Sequence, residues 1–139
     1  MKLLERLNIK TEHESLYAQA FTHTSYANEH GLLSYERLEY LGDAILELFI
    51  SDYLYRNTEY DEGVMTKMRA HYVCEDALYE YSLKLNLNEE LLLGKGEFEN
   101  GGKYRKAIVA DIFEAFIGAL YLDQGLETVH KFLNTHMIP

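Results

Sequence analysis

Apolar residues recur at helical spacing in six stretches of the chain, Leu3–Leu7, Leu16–Phe21, Leu38–Tyr55, Val64–Leu85, Ile108–Leu122 and Leu126–Leu133. Spacings of three and four put side chains on one side of a helix, and no segment shows the sustained period-two alternation of a half-buried strand. The pattern predicts an all-α fold. Breaks fall at Gly31, Asn57–Gly63, the glycine-rich stretch Gly94–Gly102 and Gln124–Gly125, the last setting a glycine just past a helix end. Pro139 is the only proline, so nothing in the interior stops long helices, and no repeat, low-complexity tract or linker interrupts the pattern.

A chain of 139 residues with 47% hydrophobic and 26% charged content reads as one ordered domain, residues 1–139. At this length roughly two-thirds of the unfolded surface is buried. Thirteen basic residues against 23 acidic ones leave a net charge of −10, which excludes a protein that holds nucleic acid by a broad basic surface. The one concentrated basic patch is GKGEFENGGKYRK, Gly94–Lys106, with Lys103, Arg105 and Lys106 close together. It is too short for a known phosphate cradle and also reads as a solvated loop running into a helix. Cys74 has no partner for an internal disulfide, which points to a reducing compartment. Glu5 and Arg6 interrupt the N-terminal apolar run before it reaches signal-peptide length, and no stretch approaches the roughly 20 apolar residues of a membrane span. A cytoplasmic protein without a membrane partner is expected.

The acids stand where acids are costly. In SYERLEYLGDAILELFISDYLY, Ser34–Tyr55, apolar residues occupy nearly every angular position after Arg37, yet Glu36, Glu39, Asp43 and Glu47 recur at i, i+3, i+7 and i+11. At about 100° per residue they share an arc of roughly 80°. Asp43 and Glu47 stand one turn apart with no cation between them, unlike an ordinary solvated face. The helix AIVADIFEAFIGALYL, Ala107–Leu122, is still more apolar, and its only charges are Asp111 and Glu114. Two ionised carboxylates there require a partner, either a buried salt bridge to Arg37 or Arg69 or a metal ion. If the two acidic faces meet, Glu39, Asp43, Asp111 and Glu114 form an oxygen-only cluster, which favours Mg²⁺ or Mn²⁺ over Zn²⁺. Carboxylates alone repel a phosphodiester, but carboxylates holding a divalent cation present it with a Lewis acid.

These residues carry a resemblance. The run ERLEYLGDA, Glu36–Ala44, closely resembles the signature of the ribonuclease III family. FTHTSYANEH from Phe21, DEG at Asp61–Gly63, TKMRA at Thr66–Ala70, GKGE at Gly94–Glu97 and GGKYRKAIVADIFEAFIGALYLD from Gly101 resemble counterparts in bacterial enzymes, in the same order. The similarity implies an all-α, homodimeric endonuclease domain that cleaves double-stranded RNA with Mg²⁺, Mn²⁺ substituting. It implies 5′-phosphate and 3′-hydroxyl ends with short 3′ overhangs, and a role in processing rRNA and mRNA. Glu39, Asp43, Asp111 and Glu114 match the family's metal and catalytic carboxylates, and Glu36 and Glu62 match two further acids of its catalytic valley. Thr66 and Arg69 match positions near RNA, with Lys103 and Arg105 further RNA-binding candidates; Arg69 could equally pair with the acids. Glu36 is also favoured where it stands by the helix dipole, with Ser34 as a cap. Glu47 matches no family ligand and reads as a salt-bridge partner, and His23 as a residue packed between helices.

Tyr40 stands where phenylalanine is commoner in the family, and Tyr35 where asparagine often precedes the signature; neither is expected to touch the carboxylates. Leu38, Leu41, Ile45 and Phe49 around Gly42 carry more apolar surface than one small domain readily covers, an independent motive for the dimer, with the glycine permitting close approach. Family members usually continue into a double-stranded RNA-binding domain where this chain reaches Ile138–Pro139, and the resemblance favours a nuclease domain cut at its linker. A non-catalytic RNA-binding or scaffolding module on the same fold would be expected to lack Asp43, Asp111 or Glu114, and all three are present.

Overall fold

The most apolar stretch of the sequence becomes the central helix of the domain. A computed structural model describes residues 1–138; Pro139, the last residue of the expected domain, lies outside the described residues. Helix α8 is counted from the N-terminus after α1 (Lys2–Arg6), α2 (Glu14–Ala20), α3 (Thr24–His30), α4 (Glu36–Asn57), α5 (Glu62–Val73), α6 (Glu75–Lys84) and α7 (Lys95–Glu99). It runs Lys106–Gln124 and is followed by α9, Leu126–His136. From Ile108 to Leu120, every residue of α8 except Asp111 is buried. Helices α2, α4, α6 and α9 pack around it. Among the described residues the sole β-type pairing is an isolated parallel bridge between Thr22 and Leu92, so the all-α expectation holds.

Phe116 is the hub of the core. Its ring centroid lies 5.7 Å from Tyr17, 6.0 Å from Phe21 and 5.6 Å from Phe132, which ties α2 and α9 to α8. Such tilted aromatic pairs add about 1 kcal/mol each beyond their buried area. Tyr17 carries a hydroxyl into this apolar setting and satisfies it by donating to Asp123 at 2.6 Å. The chain leaves α8 through Gly125 at φ +87°, as its place after Gln124 predicted.

Helix α4 lies on α8 with backbone in contact. A Cβ built on Gly42 would stand 1.7 Å from the Glu114 carbonyl oxygen, and one on Gly118 would stand 2.3 Å from the Leu38 carbonyl oxygen. Only hydrogens fit at both positions. Gly42 therefore permits close approach within the chain rather than to a second copy. Ile45 and Phe49 are buried in the chain's own core, which corrects their expected role as uncovered dimer surface; Leu38 is buried there as well and Leu41 packs against it, though both also line a surface hollow.

Three elements depart from the periodicity. Val64–Leu85 reads as one helix, but Cys74 is extended, at φ −69° and ψ 162°, and divides it into α5 and α6. Tyr81 donates its hydroxyl to the Tyr72 carbonyl at 3.1 Å, satisfying one acceptor that the corner releases from the helix ladder. The corner leaves α5 on α4 and α6 on α8. Helix α3 lacks apolar periodicity and is made by its ends, where the His23 ring accepts from the Ser25 N–H and Gly31 closes at φ +64°. The Gly94–Gly102 break holds the short α7, because the Gly94 N–H donates to Ser25 Oγ at 2.8 Å and the Lys95 N–H to Glu29 at 2.9 Å.

Gly42→Ala is expected to destabilise the domain by about 3 kcal/mol or more, or to prevent folding, because the added methyl meets backbone. Gly96→Ala, with nothing within 4 Å of the new Cβ, is expected to be neutral or slightly stabilising, since alanine is the better helix former. Urea denaturation of the two variants checks the contrast.

Candidate metal centre

The backbone contact between α4 and α8 brings the two acidic faces together. Glu39 and Asp43 lie on α4 and Asp111 and Glu114 on α8. Glu39, Asp111 and Glu114 each offer a carboxylate oxygen such that these atoms lie within 4.8 Å of one another. Asp43 is exposed and stands outside this tight triad, but it is near enough to Glu114 to raise that residue's pKa. All four residues of the expected cluster thus share one site, three as its core and Asp43 on its solvent side.

Among the described residues no lysine or arginine pairs with Glu39, Asp43, Asp111 or Glu114. Arg69 is engaged by Glu47 at 3.4 Å and donates to Ser51 at 2.8 Å, and Arg37 is exposed. The salt-bridge alternative is therefore set aside for Asp111 and Glu114, while Glu47 takes the ion-pair role expected of it. Two ionised carboxylates at this separation repel by about 3 kcal/mol at an effective dielectric near 20.

The site relieves that repulsion by holding protons. Burial first, then the adjoining Asp43, pushes the Glu114 carboxyl up to about 9; its side chain is only 9% exposed. Burial and Asp111 push Glu39 up to about 7. Burial also raises Asp111, against hydrogen bonds from Tyr35 and Glu39 that favour its charged form. Carboxyls whose pKa values are raised by burial and by one another fit an all-oxygen site for a hard divalent cation. Glu39, Asp111 and Glu114 would hold the cation, with Asp43 beside them.

The other candidates are dispersed. Glu36 is exposed at the start of α4, its N–H accepted by Ser34 Oγ at 3.3 Å, and it adds negative potential at Glu39. Glu62 lies in the first turn of α5 behind Asp61, which caps the helix by accepting from the Val64 N–H at 2.9 Å. Together with Thr66, Arg69 and Ser51 it lines a hollow of about 270 Å³ that the triad does not line. Lys103 pairs with Glu89 at 2.8 Å and Arg105 with Glu97 at 3.2 Å, while Lys106 pairs with Asp76 at 2.8 Å. His23 packs its ring edge-on against Tyr35 at 5.9 Å, as expected of a packing residue.

Tyr35 requires a correction. It was expected not to touch the carboxylates, yet its hydroxyl donates to Asp111 Oδ2 at 3.1 Å. A tyrosine buried to 4% exposure needs a partner for its hydroxyl, which is the signal its sequence position offered. The partner lies 76 residues away, beyond the reach of local periodicity.

Fold and site together define an all-helical domain that presents a buried carboxylate cluster suited to a divalent cation. Residues 13–139 match the family model described as Ribonuclease-III-like, and the chain belongs to that family. It is 53% identical over 141 residues to Ribonuclease 3 of Oceanobacillus iheyensis, covering 99% of this chain and 62% of that protein. Ribonuclease 3 of Bacillus licheniformis is 52% identical over 142 residues, covering 99% of this chain and 57% of that protein. The chain thus spans about three-fifths of the length of these curated relatives. A solved nuclease domain of ribonuclease III from Campylobacter jejuni, described as flexible in a region involved in dimer formation, superposes with a TM-score of 0.91 at 34% identity. That match covers 98% of this chain and 94% of that one.

Because the folded cluster binds protons that the unfolded chain releases, the metal-free domain is expected to lose stability as pH rises. The contribution is fully present below the ordinary glutamate value of 4.5 and is lost as pH climbs through about 7 for Glu39 and about 9 for Glu114. Thermal melts in EDTA between pH 5 and pH 9 check the slope, at about 4 °C per kcal/mol for a chain of this size. Glu114→Gln should flatten it, and Mg²⁺ at pH 8 should raise Tm more than matched ionic strength does.

Proposed function

We propose that this chain is the catalytic domain of a divalent-metal-dependent endoribonuclease that hydrolyses double-stranded RNA. The observation that carries the reading is the triad of Glu39, Asp111 and Glu114, set by α4 and α8 within 4.8 Å and without an ion-pair partner among the described residues. The family membership and the names of the relatives support the substrate class.

A divalent cation, when bound, supplies a Lewis acid for the phosphodiester and lowers the pKa of its water. The chain's own residues supply the rest. Glu114, Asp111 and Glu39 would hold the cation through hard oxygens, and the protons that burial favours on Glu114 and Glu39 would be released to water on binding. Glu36 and Glu62 are auxiliary acids of the same reading, and Thr66, Arg69, Lys103 and Arg105 its RNA contacts. Lys103 and Arg105 exchange Glu89 and Glu97 for phosphate in that role. Mg²⁺ is the proposed ion with Mn²⁺ a substitute, and the products are 5′-phosphate and 3′-hydroxyl ends with short 3′ overhangs. The cytoplasm is the proposed setting, where the exposed Cys74 stays a thiol; no helix among the described residues is long and apolar enough to cross a membrane.

The active form is a homodimer in this proposal, through a surface that shares Leu38 and Leu41 with the one expected from sequence but not the buried Ile45 and Phe49. Tyr40 at 82% exposure, Leu33 at 74% and Leu122 rim an open concavity of about 780 Å³ that Leu16, Leu38 and Leu41 also line. A contiguous apolar hollow of this kind suits a protein partner. Sedimentation at micromolar concentration is expected to show a dimer that Tyr40→Lys converts to a folded monomer.

Cleavage of a long labelled RNA duplex with Mg²⁺ at low salt tests the activity. Duplex-specific products are expected from the parent chain, with Glu114→Gln slower by about a thousandfold, the several kcal/mol a Lewis acid contributes. A net charge of −10 predicts cleavage suppressed near physiological salt. Intact RNA with folded parent at low salt would instead favour binding without catalysis.

A further inference from the structure

We propose that Tyr35 is a positioning residue of the carboxylate centre, its hydroxyl orienting Asp111 for the divalent cation through the hydrogen bond to Oδ2. The inference rests on the reading above that this cluster binds such a cation.

Tyr35 is fixed before any ligand arrives. Its ring is buried and meets the edge of the His23 ring at 5.9 Å, its N–H donates to the Thr22 carbonyl at 2.9 Å, and its carbonyl accepts from the Glu39 N–H at 2.9 Å. The surface behind it is equally fixed. The His23 ring accepts from the Ser25 N–H at 3.1 Å, and Ser25 Oγ accepts from the Gly94 N–H at 2.8 Å. Leu92 is bonded on both sides to this segment, its N–H donating to the Phe21 carbonyl at 2.8 Å and its carbonyl accepting from the His23 N–H at 3.1 Å. A Cβ on Gly94 would come within 2.8 Å of the Ser25 carbonyl oxygen, so the loop is seated against α3 without slack.

The chemistry of the donor matters as much as its rigidity. A lysine or arginine in this place would neutralise Asp111 and compete with the metal ion for it. The phenol is a neutral donor that engages one carboxylate oxygen without cancelling the negative charge that Asp111 spreads over both and offers the cation. Holding the carboxylate in one orientation removes the ordering cost that cation binding would otherwise carry. Tyr35→Phe deletes only the hydroxyl and keeps the ring that packs on His23.

Calorimetric titration of Mn²⁺ into the parent chain and into Tyr35→Phe, each checked by circular dichroism, tests the role. A dissociation constant about tenfold weaker is expected for Tyr35→Phe, in the range found when an orienting hydrogen bond to a metal ligand is removed. RNA cleavage by this variant should fall at low Mg²⁺ and recover as Mg²⁺ is raised, a dependence that a general packing defect would not produce. Equal Mn²⁺ affinity in folded Tyr35→Phe and parent overturns the proposal. In the unsubstituted protein the ¹³Cζ resonance of Tyr35 is expected to shift on adding Mg²⁺, and an unmoved resonance at saturation overturns it independently of any variant. A parent chain that binds no Mn²⁺ at all would instead bring down the metal reading itself, and this inference with it.

Discussion

The contact between the α4 and α8 backbones is the constraint on which the rest of this domain depends. Two glycines make it possible: Gly42 faces the Glu114 carbonyl and Gly118 faces the Leu38 carbonyl, each at a distance where any side chain would collide. Helices that meet through ordinary side chains keep their axes about 8–10 Å apart. Here the glycines let the axes close in, and the side chains flanking the contact are carried into one small volume. Those flanking residues are Glu39 and Asp43 on one helix and Asp111 and Glu114 on the other. The close packing that stabilises the core therefore also creates the electrostatic problem at its edge.

That problem is what makes the site chemically capable. Burial and like charges raise Glu114 to about 9 and Glu39 to about 7, so the metal-free cluster favours its protonated forms. Arg69 serves Glu47, and Lys103, Arg105 and Lys106 each serve an acid of their own and not the cluster. A hard divalent ion can replace the protons and supply the missing positive charge. Family membership, close structural similarity to a ribonuclease III nuclease domain and this unrelieved cluster are mutually consistent, though each rests on different information.

Much of this was legible along the chain. Helices α4, α8 and α9 followed from apolar spacing, the α8 terminus from Gly125, and the cluster's composition from acids placed where acids are expensive. The failures have physical causes. The corner at Cys74 carries no glycine or proline, because the break is imposed by what α5 and α6 pack against. Helix α3 is defined by caps and not by an apolar face, so periodicity passes over it. Gly42 marks a close approach in the sequence, but its partner is α8 of the same chain, since a glycine announces proximity and not identity. Of the apolar residues around it, Ile45 and Phe49 belong to the core, while Leu38 and Leu41 line the hollow whose exposed rim is Tyr40, Leu33 and Leu122.

The sequence by itself determined the helical class, the family and the hard-oxygen character of the site, because side-chain type and the 3.6-residue period are local properties. Only the tertiary structure decided that Glu39, Asp111 and Glu114 form the inner triad with Asp43 outside it, that Arg69 is engaged elsewhere, and that Tyr35 reaches Asp111 across 76 residues. These relations depend on how two helices cross, and a crossing is fixed by the summed packing of both faces and not by any residue's neighbours in the chain.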